Sequence, residues 1–330
     1  MNQRHKSKFL AHVCLVVVLP LVCTLFLAAC YAATSKTTPS STGSATAALA
    51  SMPPDASDNA AVDRLRDLAV TPDGTVWAAT GEGLMRLESE GWECVLEDTE
   101  VNALTVAPDG SLWAGIGCQV QRFDGTAWEA VFPCGEYLPW GNILDIAFTP
   151  EGLAWLANGF GVASFDGQGW TKYDRLINSL VVAPDGALWM NGWEGTQGSA
   201  YVARFDGENW ISFEGADSFP GGFLVHAVTP DRLLWGTVPQ GRLASFDGQS
   251  WGDEASWRLY SSADGLQLDE VITMAVAPDG ALWVGMTSGS ARFDGAWTTY
   301  ARGRAVRAIA FGPQGEVRLD TTVVHPGGLE

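Results

Sequence analysis

An all-β fold built on a repeated four-stranded unit is predicted by three observations. The phrase VTPDGTVW at 70–77 returns as VAPDGSLW (106–113), FTPEGLAW (148–155), VAPDGALW (182–189), VTPDRLLW (228–235), VAPDGALW (276–283) and, degraded, FGPQGEVR (311–318). A second phrase follows at a distance: RLES (86–89), RFDG (122–125), SFDG (164–167), RFDG (204–207), SFDG (245–248) and RFDG (292–295). A third is a tryptophan with an apolar or aromatic residue three positions on, starting at Trp92, Trp128, Trp170, Trp210, Trp257 and Trp297.

The chain opens differently. A basic stretch, MNQRHKSK, precedes an apolar run from Phe9 to Ala29 that ends Leu27-Ala28-Ala29-Cys30. Basic, apolar and small-residue regions in that order describe a secretory signal rather than a structural helix. The box resembles the bacterial lipobox, in which the cysteine is lipidated. Residues 1–29 are therefore expected to be a signal peptide and Cys30 the lipidated N-terminus of an exported, membrane-anchored chain. An uncleaved anchor and an ordinary signal peptide are the alternatives. Loss of 1–29 removes three cations (Arg4, Lys6, Lys8) and no acid, so the net charge moves from −19 to −22. Such a chain is repelled by phosphate backbones, so nucleic acid is not an expected partner. Residues 30–61 are rich in Ser, Thr and Ala and bury too little to fold. As a coil they would span roughly 30 Å, a tether for the folded part.

The repeat occupies 62–330. The prolines of the first phrase fall at 72, 108, 150, 184, 230, 278 and 313. That period suits several repeat classes, and local chemistry decides among them. Short β-branched or aromatic runs separated by Pro-Asp-Gly and Asp-Gly turns read as hairpins. Strand a precedes the PDG turn, strand b carries the LW pair, strand c ends in FDG, and strand d begins at the third-phrase tryptophan. Sheets of this kind close radially into a β-propeller. Twelve of the 15 tryptophans fill the strand b and strand d slots, where packing between blades is their expected work. The expectation is seven blades with an incomplete last one, 304–330 supplying strands a and b. A six-bladed ring with an appendage is the alternative.

These phrases, with Gly265-Leu266 after Tyr260, resemble the two-component regulator propeller family over about 62–323. The resemblance implies extracytoplasmic sensing, in several members of glycans. The sequence carries no kinase motif, so what it implies here is binding of a ligand or partner without a signalling domain of its own. Streptogramin lyases and lactonases are similar propellers with P-D-G turns. They imply the alternative, a metal-dependent enzyme at the channel mouth using Asp67 and Asp145. Against it, no nucleophile–base pair has motif spacing, no cofactor or metal ligand set is read, and His226 falls in the slot occupied elsewhere by Leu68, Leu104, Ile146, Leu180, Met274 and Ile309. His325 lies in the C-terminal tail.

Strand order places the PDG and FDG turns on one face and the b–c and d–a connections on the other. The second face varies, as binding faces do. Its long connections 133–142, 191–200 and 214–223 bring Tyr137, Trp140, Trp193 and Phe219 together, flanked by Glu136, Asn191 and Glu194. Stacking on a sugar ring or docking of a protein is the functional reading; mini-cores under the loops are the structural one. At the start of each strand a, Arg66, Asp67, Asn102, Asp145, Asn178 and Arg307 form an expected polar ring at the channel mouth. The expected partners are a glycan, a small molecule or an envelope protein, bound by a monomer held to the membrane by its lipid. Three cysteines remain in the folded part. Cys118 opens strand c of blade 2 and Cys134 follows strand d, so antiparallel pairing brings them together as a disulfide, with Cys94 outside it.

Overall fold

The computed structural model describes residues 65–194, 199–214, 222–266, 270–300, 303–320 and 322–324. They belong to the compact unit Pro53–Glu330. The expected leader, lipidated Cys30 and tether, together with Phe219, His325 and the side chain of Glu194, lie outside the described residues.

Seven antiparallel sheets follow one another along the chain. Blade 1 comprises β1 (Leu65–Val70), β2 (Val76–Thr80), β3 (Gly83–Glu88) and β4 (Gly91–Glu97). Blade 2 comprises β5 (Val101–Val106), β6 (Leu112–Ile116), β7 (Gln119–Phe123) and β8 (Trp128–Phe132). Blade 3 comprises β9 (Asp145–Phe148), β10 (Ala154–Ala157), β11 (Val162–Phe165) and β12 (Trp170–Tyr173). Blade 4 comprises β13 (Ile177–Val182), β14 (Leu188–Glu194), β15 (Ser199–Phe205) and β16 (Trp210–Glu214). Blade 5 comprises β17 (Leu224–Val228), β18 (Leu234–Val238), β19 (Arg242–Phe246) and β20 (Trp257–Leu259). Blade 6 comprises β21 (Val271–Val276), β22 (Leu282–Met286), β23 (Gly289–Phe293) and β24 (Trp297–Tyr300). Blade 7 shows three strands, β25 (Ile309–Phe311), β26 (Val317–Leu319) and β27 (Thr322–Val324), one more than the repeat phrases predict.

The first strand of each sheet is innermost. β1, β5, β9, β13, β17, β21 and β25 touch in that order, and β25 touches β1. The fold is a closed seven-bladed β-propeller. Ala308 and Ala310 of blade 7 pack with Leu65, Leu68, Val76 and Ala78 of blade 1, so the seventh sheet is part of the ring and not an appendage to six.

The core is divided among the blade interfaces. One buried cluster lies at each, from blade 1 against blade 2 round to blade 7 against blade 1. The three sequence phrases meet there as a single contact. Trp155 of strand b, 1% exposed, stacks on Tyr173 of its own blade at 5.2 Å. On its other side are Phe205 and Trp210 of blade 4, at 5.4 and 6.4 Å. Phe205 and Trp210, an FDG phenylalanine and a strand d tryptophan, are themselves 4.7 Å apart. Trp77 meets Phe123 and Trp128 in the same way, and Trp235 meets Phe293 and Trp297. Aromatic pairs at such distances contribute about 0.5–1.5 kcal/mol beyond the area they bury.

The turn motifs serve the same ring. Asp124 of an FDG turn accepts from the amides of Thr126 and Ala127 at 2.7 and 2.9 Å, which holds its carboxyl down at about 2. Arg122 before it reaches Asp109 of the PDG turn at 2.9 Å, and Arg292 reaches Asp279 at 2.8 Å. Gly110 of the PDG turn has φ +86, and where blade 5 substitutes Arg232 that residue is forced to φ +68. A left-handed non-glycine residue costs about 1 kcal/mol.

Cys118 and Cys134 form a disulfide with Cα atoms 5.0 Å apart, and Cys94 is exposed. The bridge closes a loop of 16 residues of sequence separation, for which chain entropy predicts about 3 kcal/mol. Guanidinium unfolding of a Cys118→Ala/Cys134→Ala variant is expected to show a loss of about that size.

Candidate functional site

The b–c and d–a connections of blades 2 to 4 gather on one face, and the d–a connection 133–144 dominates it. Its buried side chains are Leu138 and Ile143. The carbonyl of Pro139 accepts from Asn158 Nδ2 at 2.7 Å, and Ile143 N donates to Gly117 O at 2.7 Å. With the disulfide at its base, this connection is built as a rigid platform.

Sequence reasoning grouped Tyr137 with Trp140 and Trp193, and the structure separates them. Tyr137 is half-buried, 5.9 Å from Phe132 and 6.1 Å from Trp170, so it forms a mini-core beneath the loop. Its phenol bonds to Glu136, which raises its pKa. Trp140 stands on the outside, 73% exposed, lying over Gly135, where an added Cβ would meet the indole at 2.9 Å. Trp193, at the end of β14, is 44% exposed.

Three residues not singled out from the sequence join these two. Phe160, in the short b–c turn of blade 3, is 59% exposed and covers Gly141, the residue after Trp140. Leu144 lies close to Gly159, whose amide donates to Ile177 O at 2.8 Å. Leu176 precedes Ile177, and its carbonyl accepts from Trp193 N at 3.0 Å. Trp140, Phe160, Leu144, Leu176 and Trp193 thus lie on neighbouring connections of blades 2 to 4. They are five of the seven exposed large apolar side chains among the described residues. Exposed apolar side chains gathered on one face mark an interaction site. The available sequence signal was a phenylalanine in a two-residue turn and two leucines at strand starts.

The residues of the expected polar ring are engaged by the scaffold, Arg307 through its backbone amide. β-Bulges lie at Arg66, Asn102 and Asn178, where the register of strand a slips, and they re-aim these side chains. Arg66 bonds to Asn102 and pairs with Glu100 at 2.5 Å, and Glu100 accepts from Asn142 Nδ2 at 2.7 Å. Asn178 abuts Gly159, and Arg307 N donates to Asp320 at 2.7 Å. Asp67 accepts from Leu68 N and Leu104 N, both at 2.8 Å. Asp145 accepts from Leu180 N at 2.7 Å. Innermost strands have an unpaired edge toward the channel, and these carboxylates satisfy its amides from one blade to the next. Asn191 does the same for Val225 N at 2.8 Å.

Confinement has a cost. Burial, opposed by the Leu104 amide and reinforced by the charge of Asp145, raises Asp67 to about 7. Burial raises Asp145 to about 6. His226, in the slot where the sequence places a buried, hydrogen-bonded histidine, has such a bond, although its strand is irregular there. It is half-buried and bonds through Nε2 to Thr237 Oγ1 at 3.0 Å. Burial lowers it to about 4. Among the described residues no three His, Cys, Asp or Glu side chains are grouped to hold a metal ion.

Recesses also lie between blades on the PDG/FDG face. One of about 390 Å³ is bounded by Trp77, Phe123, Arg86 and Arg122, and one of about 470 Å³ by Trp189, Phe246, Arg204 and Trp251. They repeat with the aromatic contact and follow from it.

No protein-family model and no curated protein matches the chain in sequence. Solved structures do resemble it in fold. Virginiamycin B lyase from Staphylococcus aureus superposes with a TM-score of 0.57 at 14% identity, over 78% of this chain and 91% of the lyase. YCF48 from Cyanidioschyzon merolae gives 0.57 at 15% identity, over 77% and 92%. The WD40 propeller of Doa1 gives 0.57 at 13% identity, over 77% and 88%. All three are β-propellers, and the likeness is one of fold.

The shifted carboxyls set a pH dependence. The folded state resists ionising Asp67 and Asp145, so their contribution is full below about 4 and is lost as pH rises through about 6 and 7. His226 works in the opposite sense, costing stability as pH falls from 6.5 through about 4. Between pH 8 and 6.5 the carboxyls outweigh His226, which begins to cost stability near 6.5. Tm is therefore expected to rise by about 1–2 °C over that interval. In Asp67→Asn the rise should shrink, from a lower starting Tm because one amide bond is lost.

Proposed function

We propose that this propeller is a lipid-anchored extracytoplasmic binding module that engages a protein partner through the b–c/d–a face of blades 2 to 4. The observation that carries the reading is the gathering of exposed Trp140, Phe160, Leu144, Leu176 and Trp193 on neighbouring connections of that face. Two leucines among the aromatics favour a protein over a sugar, because aliphatic side chains add nothing to stacking on a sugar ring. The anchor rests on the lipobox at 27–30 and the tether on the composition of 30–61. The repeats resemble those of two-component regulator propellers, which sense outside the membrane. A YCF48 structure bound to a D1 peptide is a precedent for peptide recognition on this fold, at 15% identity.

Catalysis is the weaker reading. The lyase structures include one described as catalytically inactive after a histidine was replaced by alanine, with quinupristin bound. Here His226 is engaged by Thr237, while Asp67 and Asp145 are engaged by backbone amides.

Photo-cross-linking tests the proposal. A benzophenone amino acid at position 140 or 193 of the full chain, in its own envelope, is expected to give a discrete protein adduct. The same group at Ile211 or Leu259, exposed on outer strands, should not. Equal adducts from all four positions would overturn the reading. Glycan-array binding lost in Trp140→Ala and Trp193→Ala would replace the protein by a sugar.

A further inference from the structure

The apolar face borders the channel mouth directly: Leu144, 41% exposed, is followed in the chain by Asp145. The charges around it are unevenly matched. Arg66 is neutralised by Glu100, and Lys172 by Asp174 at 2.9 Å. Arg175 lies over the Trp210 ring at 4.5 Å and donates to Ser212 Oγ, which directs it outward. Asp67 and Asp145 have only backbone amides and each other. The amides are those of Leu68 and Leu104 for Asp67, and of Ile146 and Leu180 for Asp145. Among the described residues no cation, Arg307 beside β25 included, is among the groups acting on either carboxyl. Each carboxylate oxygen has two lone-pair sites and an amide uses one, so accepting capacity remains. Both residues are half-buried.

We infer that the docked partner segment is basic as well as apolar, with side chains seated on Trp140, Phe160 and Trp193 and a lysine or arginine directed into the channel mouth toward Asp145 and Asp67. This rests on the proposed protein-binding face and adds the chemistry of its occupant. A cation there compensates two carboxyls on which none acts among the described residues, and the net charge of −19, or −22 without residues 1–29, draws a basic segment and repels an acidic one. The same charge disfavours an anionic membrane as the occupant. The inference has a signature that apolar docking alone lacks. The carboxyls ionise as pH rises through about 6 and 7, so a lysine-bearing segment binds more tightly at pH 8 than at pH 5.

A random-peptide phage library panned on the full chain supplies the probe. Selected peptides are synthesised acetylated and without histidine, so that only the protein titrates. Expected are peptides enriched in aromatic or leucine residues together with lysine or arginine. They should bind about tenfold more tightly at pH 8 than at pH 5. Asp67→Asn/Asp145→Asn should abolish that difference, and Trp140→Ala/Trp193→Ala should weaken binding at both pH values. Circular dichroism confirms that each variant is folded; if the Asn pair is not, the pH profile of the unaltered chain decides. Selected peptides that need Trp140 and Trp193 but lack basic residues, or bind equally at both pH values, would overturn the inference and leave the binding face standing. Peptides indifferent to Trp140 and Trp193 would overturn the face itself. Trp140-dependent binding to phosphatidylcholine vesicles, with no peptide selected, would assign the face to lipid and overturn both.

Discussion

A strand b tryptophan lies between an aromatic of its own blade and the phenylalanine–tryptophan pair of the next, and the ring depends on repetition of that contact. Around Trp155 and Trp235 the contact is complete, and Trp77 has the pair of the next blade with Val95 in place of the own-blade aromatic. The contact explains why three separate sequence phrases travel together: each supplies one wall of the same interface. The ring is thinnest where the phrases fail. Blade 7 has Arg318 in the tryptophan slot, its guanidinium pKa lowered by burial and its Nε without a partner among the described residues. Blade 1 has Leu87 where others have phenylalanine. Small side chains, Ala308 and Ala310 against Leu65 and Leu68, close the ring there.

A closed ring creates a second constraint. Seven inner strands each leave an edge in the channel, and buried amides need acceptors. Asp67, Asp145, Asn191 and Asp320 provide them, tying inner strands to one another or to the strand beside them. Carboxylates serve as good acceptors but resist ionisation in so confined a place. Stability and electrostatics are therefore joined in the channel: the groups that stitch the ring are also its unmatched negative charge. That charge lies beside the exposed apolar side chains of blades 2 to 4, Leu144 being followed by Asp145, so scaffold and recognition face meet at the mouth.

The architecture was legible because turn chemistry and tryptophan placement repeat, and repetition averages out local ambiguity. The face carrying the irregular connections followed from strand order alone. Side-chain direction within those connections did not. Tyr137 and Trp140 are three residues apart in one loop, yet one packs on Phe132 while the other faces solvent. Only the path of the loop over Asn158 and Gly161 decides that. His226 was legible by counting from the prolines, and it has the hydrogen bond expected of it although β17 is irregular there. Leu144 and Leu176 read as ordinary strand starts, and their exposure arises from neighbours on other blades. Asp67 and Asp145 read as mouth residues, and their bonds to the next inner strand required knowing which amides the ring leaves unpaired.

The dependence of the ring on the aromatic contact is open to direct measurement by a double-mutant cycle across the interface of blades 3 and 4. Trp155→Leu and Phe205→Leu, singly and together, would be compared by guanidinium unfolding. A coupling energy of about 1 kcal/mol between residues 50 positions apart is predicted, because their rings meet at 5.4 Å. Additivity within about 0.3 kcal/mol would contradict it, leaving each blade to stand on its own packing.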